Sequence, residues 1–175
     1  MDKHVLILED DLRLAKSLLK EFIEHGYKAT TAESLADFLI KLEADKTLLL
    51  DFAVLDLRLS KGGNGLEALE KILQIFPQCR LVVLTGYASV VTAVEAVKKG
   101  AVDYLTKPAS FQQIEAALLG QRKLENMDLK RPSLDQIEHE YIDFVLQGNN
   151  GNISKTARDL GLHRQSLQRK LKKYI

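Results

Sequence analysis

The run Phe52–Leu55 constrains the fold of this chain more than any other stretch of its sequence. The run is short and apolar, Asp56 follows it directly, and the glycine-rich segment 61–65 comes soon after. A short apolar run bounded by turn residues predicts a strand that is buried on both faces of a parallel sheet. Because chemistry in open α/β sheets gathers at the carboxyl ends of the strands, Asp56 is a candidate functional residue.

Strand and helix patterns alternate on both sides of this run. The other strand patterns cover residues 4–8, 27–31, 81–85 and 102–105. Helical spacing of apolar residues covers residues 12–25, 34–44, 66–76, 89–99 and about 110–127. Five consecutive strand–helix units predict an α/β fold in which a doubly wound, five-stranded parallel sheet carries helices on both faces.

The pattern changes near Pro132, after which a second and smaller domain is predicted. Three helical segments follow, and the last two are separated by Gly161. Ala157 is small enough to let these two helices approach, and Gly161 permits the turn between them, which is a helix-turn-helix pattern. Asn152 is a candidate N-cap. We therefore expect an α/β domain at 1–125, a linker at 126–133 and a small all-α domain at 134–175.

The two predicted domains differ in charge, although the whole chain has a formal net charge of only +1. Residues 1–120 hold 14 Lys and Arg against 17 Asp and Glu, a balance of −3, whereas residues 121–175 hold 11 against 7, a balance of +4. Most of this basic excess falls in the last turns of the chain. A basic tail indicates an anionic partner, and the helix-turn-helix pattern makes DNA the expected one.

Nothing in the sequence indicates a membrane-bound or secreted protein. The apolar runs are far too short to span a bilayer, and no signal-peptide pattern opens the chain. Cys79 is the only cysteine, which excludes an internal disulfide and agrees with a reducing compartment. We expect a cytoplasmic protein without a membrane partner.

Carboxylates follow two of the predicted strands. Glu9 and Asp10 come after the first strand and Asp56 after the third, so all three are expected at one edge of the sheet. Clustered carboxylates raise each other's pKa values unless a cation is bound. Oxygen ligands without histidine or cysteine favour Mg²⁺. Asp11 is expected instead in the first turn of the following helix, and Asp51 as a solvated loop carboxylate.

Three further side chains are expected beside these carboxylates. Thr85 ends the fourth strand, Tyr104 lies in the fifth, and Lys107 follows the fifth. A hydroxyl and an ammonium match the charged oxygens of a phosphoryl group. One carboxylate could then act as a nucleophile and form an acyl phosphate.

Over about residues 1–125 this pattern resembles the receiver domain of two-component response regulators. Each motif alone is weak, but the acidic pair, Asp56, Thr85-Gly86 and the segment 104–108 occur in the family's order and at its spacing. The resemblance implies that a sensor histidine kinase phosphorylates Asp56.

The resemblance also assigns roles to the other residues. It implies that Mg²⁺ is held by Asp56 and by three neighbours, namely Glu9, Asp10 and the backbone carbonyl of Arg58. It implies that Lys107 pairs with the phosphoryl group, that Thr85 moves to hydrogen-bond it, and that Tyr104 turns inward behind Thr85. The bond between Lys107 and Pro108 is commonly cis in this family.

Two positions depart from the receiver pattern. Ser60 stands where the family usually has proline, and Gly65 falls nine residues after Asp56, where the family usually has glycine at eight. The loop is therefore one residue longer, which changes its expected rigidity and the expected lifetime of the phosphoryl group.

The last predicted helix carries the expected DNA contacts. Leu162, Leu167 and Leu171 lie on one side and are expected to face a small core. The second helix of a helix-turn-helix enters the major groove, where arginine and glutamine read bases and lysine binds phosphates. The face away from the core presents His163, Arg164, Gln165, Gln168, Arg169 and Lys172.

The segment 152–171 looks like the Fis-type DNA-binding domain, and nearly the whole chain is similar to response regulators of the RegA/PrrA/ActR group. That resemblance implies base contacts by His163, Arg164, Ser166 and Arg169. It implies phosphate contacts by Lys170, Lys172 and Lys173. The single-proline linker and Ser166, where threonine is common, depart from the group's pattern.

The expected function is that of a transcriptional response regulator and not of a metabolic enzyme. Phosphorylation of Asp56 is expected to promote formation of a homodimer and sequence-specific binding of double-stranded DNA. One alternative keeps the DNA-binding module but makes the receiver a constitutive dimer scaffold. The other is a phosphatase of the haloacid dehalogenase type, although that class needs Asp-x-Asp and Arg58 occupies its second position. A σ54-type ATPase is excluded because the chain lacks a G-x-x-x-x-G-K-[ST] loop.

Overall fold

The chain forms two compact units, Met1–Asn126 and Met127–Ile175. The computed structural model describes residues 3–59, 63–86, 90–121, 134–149 and 151–173. The predicted linker at 126–133 lies outside these ranges, so the domain boundaries stay a prediction. Within the described ranges, no helix is long and apolar enough to cross a membrane.

A five-stranded parallel sheet forms the centre of the first unit. The strands of the unit are β1 (His4–Leu8), β2 (Lys28–Ala32), β3 (Phe52–Leu55), β4 (Arg58–Leu59), β5 (Gly63–Asn64), β6 (Arg80–Thr85) and β7 (Asp103–Thr106). The sheet has the order β2-β1-β3-β6-β7, and all of its pairs are parallel. This is the flavodoxin-like order, which confirms the predicted fold class. The sequence did not predict the short antiparallel pair β4–β5.

Helices cover both faces of the sheet. They are α1 (Leu12–Glu24), α2 (Leu35–Ala44), α3 (Gly65–Ile75), α4 (Val90–Lys98) and α5 (Phe111–Leu119). The prediction that the last of these runs to about residue 127 is wrong. Gly120 adopts a left-handed conformation with φ of 70°, and its N–H donates to carbonyls of the preceding turn, which ends α5.

Two hydrophobic cores lie against the two faces of the sheet, because successive residues of a strand point to opposite sides. Leu6 and Leu8 of β1 pack into the core beneath α2, α3 and α4. Val5 and Ile7 of the same strand pack into the core beneath α1 and α5. All four side chains are fully buried, which explains why this part of β1 is a continuous apolar run.

The second unit consists of α6 (Leu134–Gly148), α7 (Ile153–Asp159) and α8 (Arg164–Lys173). Asn152 caps α7 by accepting a hydrogen bond from the N–H of Lys155, and Gly161 has φ of 64° in the turn before α8. Among the side chains described in this unit, Ile142, Ala157 and Leu167 form a buried apolar cluster with one residue from each helix. These features confirm the predicted helix-turn-helix.

Candidate functional site

Three carboxylates meet at the carboxyl ends of β1 and β3. One oxygen from each of Glu9, Asp10 and Asp56 lies within 4.8 Å of the others. Glu9 is 3% exposed and Asp56 is 6% exposed, so two of the three are nearly removed from water. A buried carboxylate needs a cation or hydrogen-bond donors around it, which makes this edge the strongest candidate site of the molecule.

Backbone hydrogen bonds continue the sheet beyond the strand ends and fix where these side chains lie. The N–H of Glu9 donates to the carbonyl of Ala32 at 3.0 Å, and the N–H of Asp56 donates to the carbonyl of Leu8 at 2.9 Å. The N–H of Lys107 donates in the same way to the carbonyl of Thr85 at 2.8 Å. Each of these three charged residues directly follows a strand of the sheet, so the backbone pairing of β1, β3 and β7 fixes where the three side chains lie.

Lys107 supplies the positive charge of the site. Its Nζ lies 2.6 Å from Oδ2 of Asp56 and 2.6 Å from Oε2 of Glu9. Burial alone would lower the pKa of Lys107, but the hydrogen bonds to the two carboxylates outweigh it, so the pKa lies above its ordinary value. The ammonium therefore stays charged at neutral pH.

Burial acts on Glu9 in the opposite direction. It raises the pKa of Glu9 above its ordinary value, the nearby charge of Asp56 raises it further, and Lys107 only partly compensates. The N–H of Asp11 also donates to Oε1 of Glu9 at 3.2 Å. Asp11 is the N-cap of α1, where its side chain accepts hydrogen bonds from the N–H groups of Arg13 and Leu14. It precedes the first turn, one position earlier than predicted.

The predicted switch residues lie at the next two strands. Thr85 ends β6 and is 2% exposed, while Tyr104 in β7 is half-buried and packs against the core beneath α4. The peptide bond between Lys107 and Pro108 is cis. The site thus gathers Glu9, Asp10, Asp56, Thr85 and Lys107 from the carboxyl ends of four strands.

The loop after Asp56 is held by a contact that sequence reasoning missed. The N–H of Arg58 donates to Oδ1 of Asp56 at 2.9 Å, and Arg58 begins the short pair β4–β5. Gly65 then starts α3 directly against Leu57, where a Cβ would stand 2.7 Å from the Leu57 carbonyl oxygen and closer still to its Cα. In the sequence, Gly65 is distinguished only by its spacing from Asp56. Ser60, the other departure, lies outside the described residues.

The predicted DNA-contacting residues lie along α8 and the turn before it. Their counterparts on the apolar side, Leu162, Leu167 and Leu171, belong to the small core as predicted. Ser166, Gln168 and Lys170 are half-buried, and the side chain of Lys173 lies outside the described residues. The exposed members of the set are His163, Arg164, Gln165, Arg169 and Lys172.

One of these residues has an acidic neighbour that the sequence did not indicate. Nζ of Lys170 lies 2.8 Å from Oε1 and 2.7 Å from Oε2 of Glu138 on α6. The two residues are 32 positions apart, and only the packing of the helices brings them together.

Comparison with known proteins identifies the domain family of each unit. The model of the response regulator receiver domain matches residues 5–119, and the model of the bacterial regulatory protein, Fis family, matches residues 133–174. A receiver followed by a Fis-type helix-turn-helix defines a transcriptional regulator of two-component signalling. The chain belongs to the response regulator family.

Its relatives and a solved structure extend over nearly the whole chain. The photosynthetic apparatus regulatory protein RegA of Cereibacter sphaeroides is 39% identical, covering 98% of this chain and 92% of that protein. The acid tolerance regulatory protein ActR of Rhizobium meliloti is 42% identical, covering 98% and 87%. A crystal structure of a response regulator from Burkholderia pseudomallei with a phosphorylated aspartic acid, calcium ion and citrate is 38% identical, with a TM-score of 0.62 and coverage of 97% and 99%.

These relatives confirm the predicted class of protein and the RegA/ActR resemblance. They are transcriptional response regulators, so the chain is not a metabolic enzyme. Membership in the family implies a histidine kinase as the partner of the receiver and DNA as the partner of the Fis-type unit.

Proposed function

We propose that a histidine kinase phosphorylates Asp56 and that this modification promotes dimerisation and sequence-specific DNA binding. The observation that carries the proposal is the pairing of one ammonium with two buried carboxylates, Nζ of Lys107 at 2.6 Å from both Asp56 and Glu9. Asp56 is nearly buried at the end of β3, so phosphorylation adds negative charge among side chains that are shielded from water. The altered receiver then changes DNA binding by the second unit, and this change regulates transcription.

Asp56 acts as the nucleophile in this proposal. One of its carboxylate oxygens bonds to the phosphorus of a phosphohistidine, and the phosphorus–nitrogen bond of the donor breaks as the imidazole leaves. Lys107 already lies within hydrogen-bond distance of Asp56, so its ammonium can pair with the new phosphoryl oxygens. Thr85, which ends the neighbouring strand, then donates its hydroxyl to the phosphoryl group, and Tyr104 turns in behind it.

The acidic cluster fits a divalent cation. Its three carboxylates offer oxygen atoms within 4.8 Å of one another, the donor set that hard cations such as Mg²⁺ prefer. Glu9, Asp10, Asp56 and the backbone carbonyl of Arg58 would hold the ion. When bound, Mg²⁺ neutralises charge on the transferring phosphoryl oxygens.

The dimer is proposed to form through the face of α4, β7 and α5. Val94 and Val97 of α4 and Val102 before β7 are exposed apolar side chains on this face. The face is adjacent to Thr85 and Tyr104, because β6 pairs with β7 and α4 contacts β7. A homodimer brings two α8 helices to half-sites about one helical turn apart, which raises affinity over a single small unit.

In the DNA complex, α8 is proposed to lie in the major groove. Base contacts come from His163, Arg164 and Arg169, with Gln165, Ser166 and Gln168 beside them. Lys172 and Lys173 bind phosphates, and Lys170 is considered separately because of its partner on α6. Since bacterial DNA is the ligand, the protein is proposed to act in the cytoplasm.

The test is DNA binding by the full chain with and without the phosphoryl mimic beryllofluoride and Mg²⁺. An operator selected from a random library serves as the probe, and light scattering reports the oligomeric state. We expect tighter binding and a dimer in the presence of the mimic for the wild type, and neither change for Asp56→Asn. Equal binding in both states would contradict phosphorylation control and favour a constitutive dimer scaffold.

The dimer face has its own matched pair of variants. Val97→Asp places a charge on α4 and should keep the protein monomeric with the mimic bound. Ile40→Asp places the same charge at an exposed apolar position of α2, away from that face, and should dimerise as the wild type does. Dimerisation of both variants would contradict the proposed interface.

A further inference from the structure

The ion pair between Lys170 and Glu138 joins the helix that is proposed to enter the groove to the first helix of the same unit. Both carboxylate oxygens of Glu138 accept hydrogen bonds from Nζ, at 2.8 Å and 2.7 Å. Among the α8 cations whose side chains the structure describes, Lys170 is the one held in an ion pair. Its neighbours Arg169 and Lys172 are exposed.

The position of the pair follows from the packing of α6 against α8. Ile142 lies one turn after Glu138 on α6, Leu167 lies about one turn before Lys170 on α8, and both are in the buried core. The ion pair therefore lies at the edge of that core, with side chains that are 33% exposed for Lys170 and 44% exposed for Glu138. A partner arriving from solvent can reach the ammonium at this edge.

A lysine ammonium has three donors, and Glu138 takes two of them with two anionic oxygens. A DNA phosphate offers the ammonium the same kind of partner, a pair of anionic oxygens. The carboxylate also repels a phosphate that approaches the same point. Glu138 and a DNA phosphate thus compete for one cation.

We propose that Glu138 withholds Lys170 from the DNA backbone and so limits the affinity of α8 for DNA of any sequence. Phosphate contacts strengthen binding to every sequence alike, whereas base contacts distinguish sequences. By occupying Lys170, Glu138 lowers non-specific affinity and leaves discrimination to base-contacting side chains such as Arg169. The proposal rests on the proposed placement of α8 on DNA.

The test is a double-mutant cycle on the full chain, with beryllofluoride and Mg²⁺ present throughout. Four proteins are compared: wild type, Glu138→Gln, Lys170→Gln and the double variant. Each is titrated with a random-sequence duplex and with the selected operator at salt concentrations on the order of 50 to 200 mM, the range over which phosphate contacts lose much of their affinity. Asp135→Asn is the control, because it removes the same charge from an exposed position on α6.

Glu138→Gln should gain about one phosphate contact, so the salt slope on the random duplex should steepen by about 0.9 and affinity at low salt should rise about threefold or more. Affinity for the operator should rise by no more than that, so the gain does not improve discrimination. Lys170→Gln should keep the wild-type slope, and the double variant should behave like Lys170→Gln. Asp135→Asn should leave the slope unchanged.

Three results would overturn the proposal while leaving α8 as the DNA-binding helix. They are an unchanged slope in Glu138→Gln, a gain that persists in the double variant, and a slope loss of about 1 in Lys170→Gln alone. Wild-type protein that binds neither duplex in a salt-dependent way would overturn the placement of α8 as well. Circular dichroism melting confirms that each variant folds, as expected for a partly exposed ion pair that contributes little to stability.

Discussion

The Asp56 site and the basic face of α8 both consist of charged side chains, but their surroundings differ. In the Asp56 site charges of both signs lie largely out of the solvent, with Lys107 held between the buried carboxylates Asp56 and Glu9. On α8 most of the charges are exposed, including Arg164 and Arg169. One region holds a fixed arrangement of opposite charges, and the other presents charge of one sign to solvent.

This difference predicts two kinds of chemistry. Buried charges interact strongly and are little screened by salt, so a small group such as phosphoryl can rearrange them. Exposed charges of one sign attract a polyanion from a distance, and salt weakens that attraction. The receiver should therefore respond to a covalent change at one residue, whereas the second unit should respond to the sum of its cations.

The largest expected effect is the complete loss of phosphorylation in Asp56→Asn. The amide is not a nucleophile towards phosphorus, and the N–H of Arg58 orients Asp56 by donating to its Oδ1. Incubation with radiolabelled acetyl phosphate and Mg²⁺ measures the loss. Asp51→Asn is the control, because Asp51 is an exposed carboxylate that accepts a hydrogen bond from the N–H of His4 outside the site. Label retained in Asp56→Asn would place the phosphoacceptor elsewhere.

The second prediction concerns Arg169→Ala on the exposed face. Loss of an arginine that is proposed to read a base should cost about 1–3 kcal/mol, or about fivefold to more than a hundredfold in affinity for the selected operator. Arg13→Ala, which removes an exposed arginine from α1 in the receiver, should bind normally. Fluorescence anisotropy measures both. Acetyl phosphate labelling of the same variants should stay at the wild-type level. If both variants lost DNA affinity equally, net charge rather than the α8 face would account for binding.

The third prediction tests how firmly the backbone holds the Asp56 site. Gly65→Ala would force a methyl group into the Leu57 backbone, and the required shift should lower the free energy of unfolding by about 1–3 kcal/mol. Gly86→Ala is the matched control, because a Cβ at Gly86 meets nothing within 4 Å. Urea unfolding compares them, and equal stability of the two variants would show that the contact at Leu57 relaxes freely.

Much of the fold could be predicted because each local pattern agrees with the tertiary packing. The central strands of the sheet are buried on both faces, so their sequences are apolar runs, as in Phe52–Leu55. Asp56 and Lys107 could be placed together because parallel strands deliver their carboxyl ends to one edge. Asn152 and Gly161 have local signals for a cap and a turn, and both occur as predicted.

The missed features depend on contacts between distant segments. The close approach of Gly65 to Leu57 arises from how α3 starts against the loop after β3, which spacing alone does not show. The contact between Glu138 and Lys170 arises only from the packing of α6 against α8. Tyr141 has helical spacing with other apolar residues of α6 yet is 60% exposed, because a helix buries only part of its surface.

The smallest expected effect concerns the buried thiol of Cys79, which we compare with the partly buried ammonium of Lys107. Lys107 keeps its charge in the site because two carboxylates surround it, whereas burial raises the pKa of the Cys79 thiol from 9.0 to about 12. At pH 8 the thiol of folded protein should therefore react with iodoacetamide far more slowly than in denaturant. The unfolded thiol ionises above about pH 9, so the contribution of Cys79 to stability should decline as pH rises from 9.0 towards 12. Cys79→Ala should lack that part of the alkaline decline, and rapid alkylation of the native protein would show that the thiol is not shielded by the core.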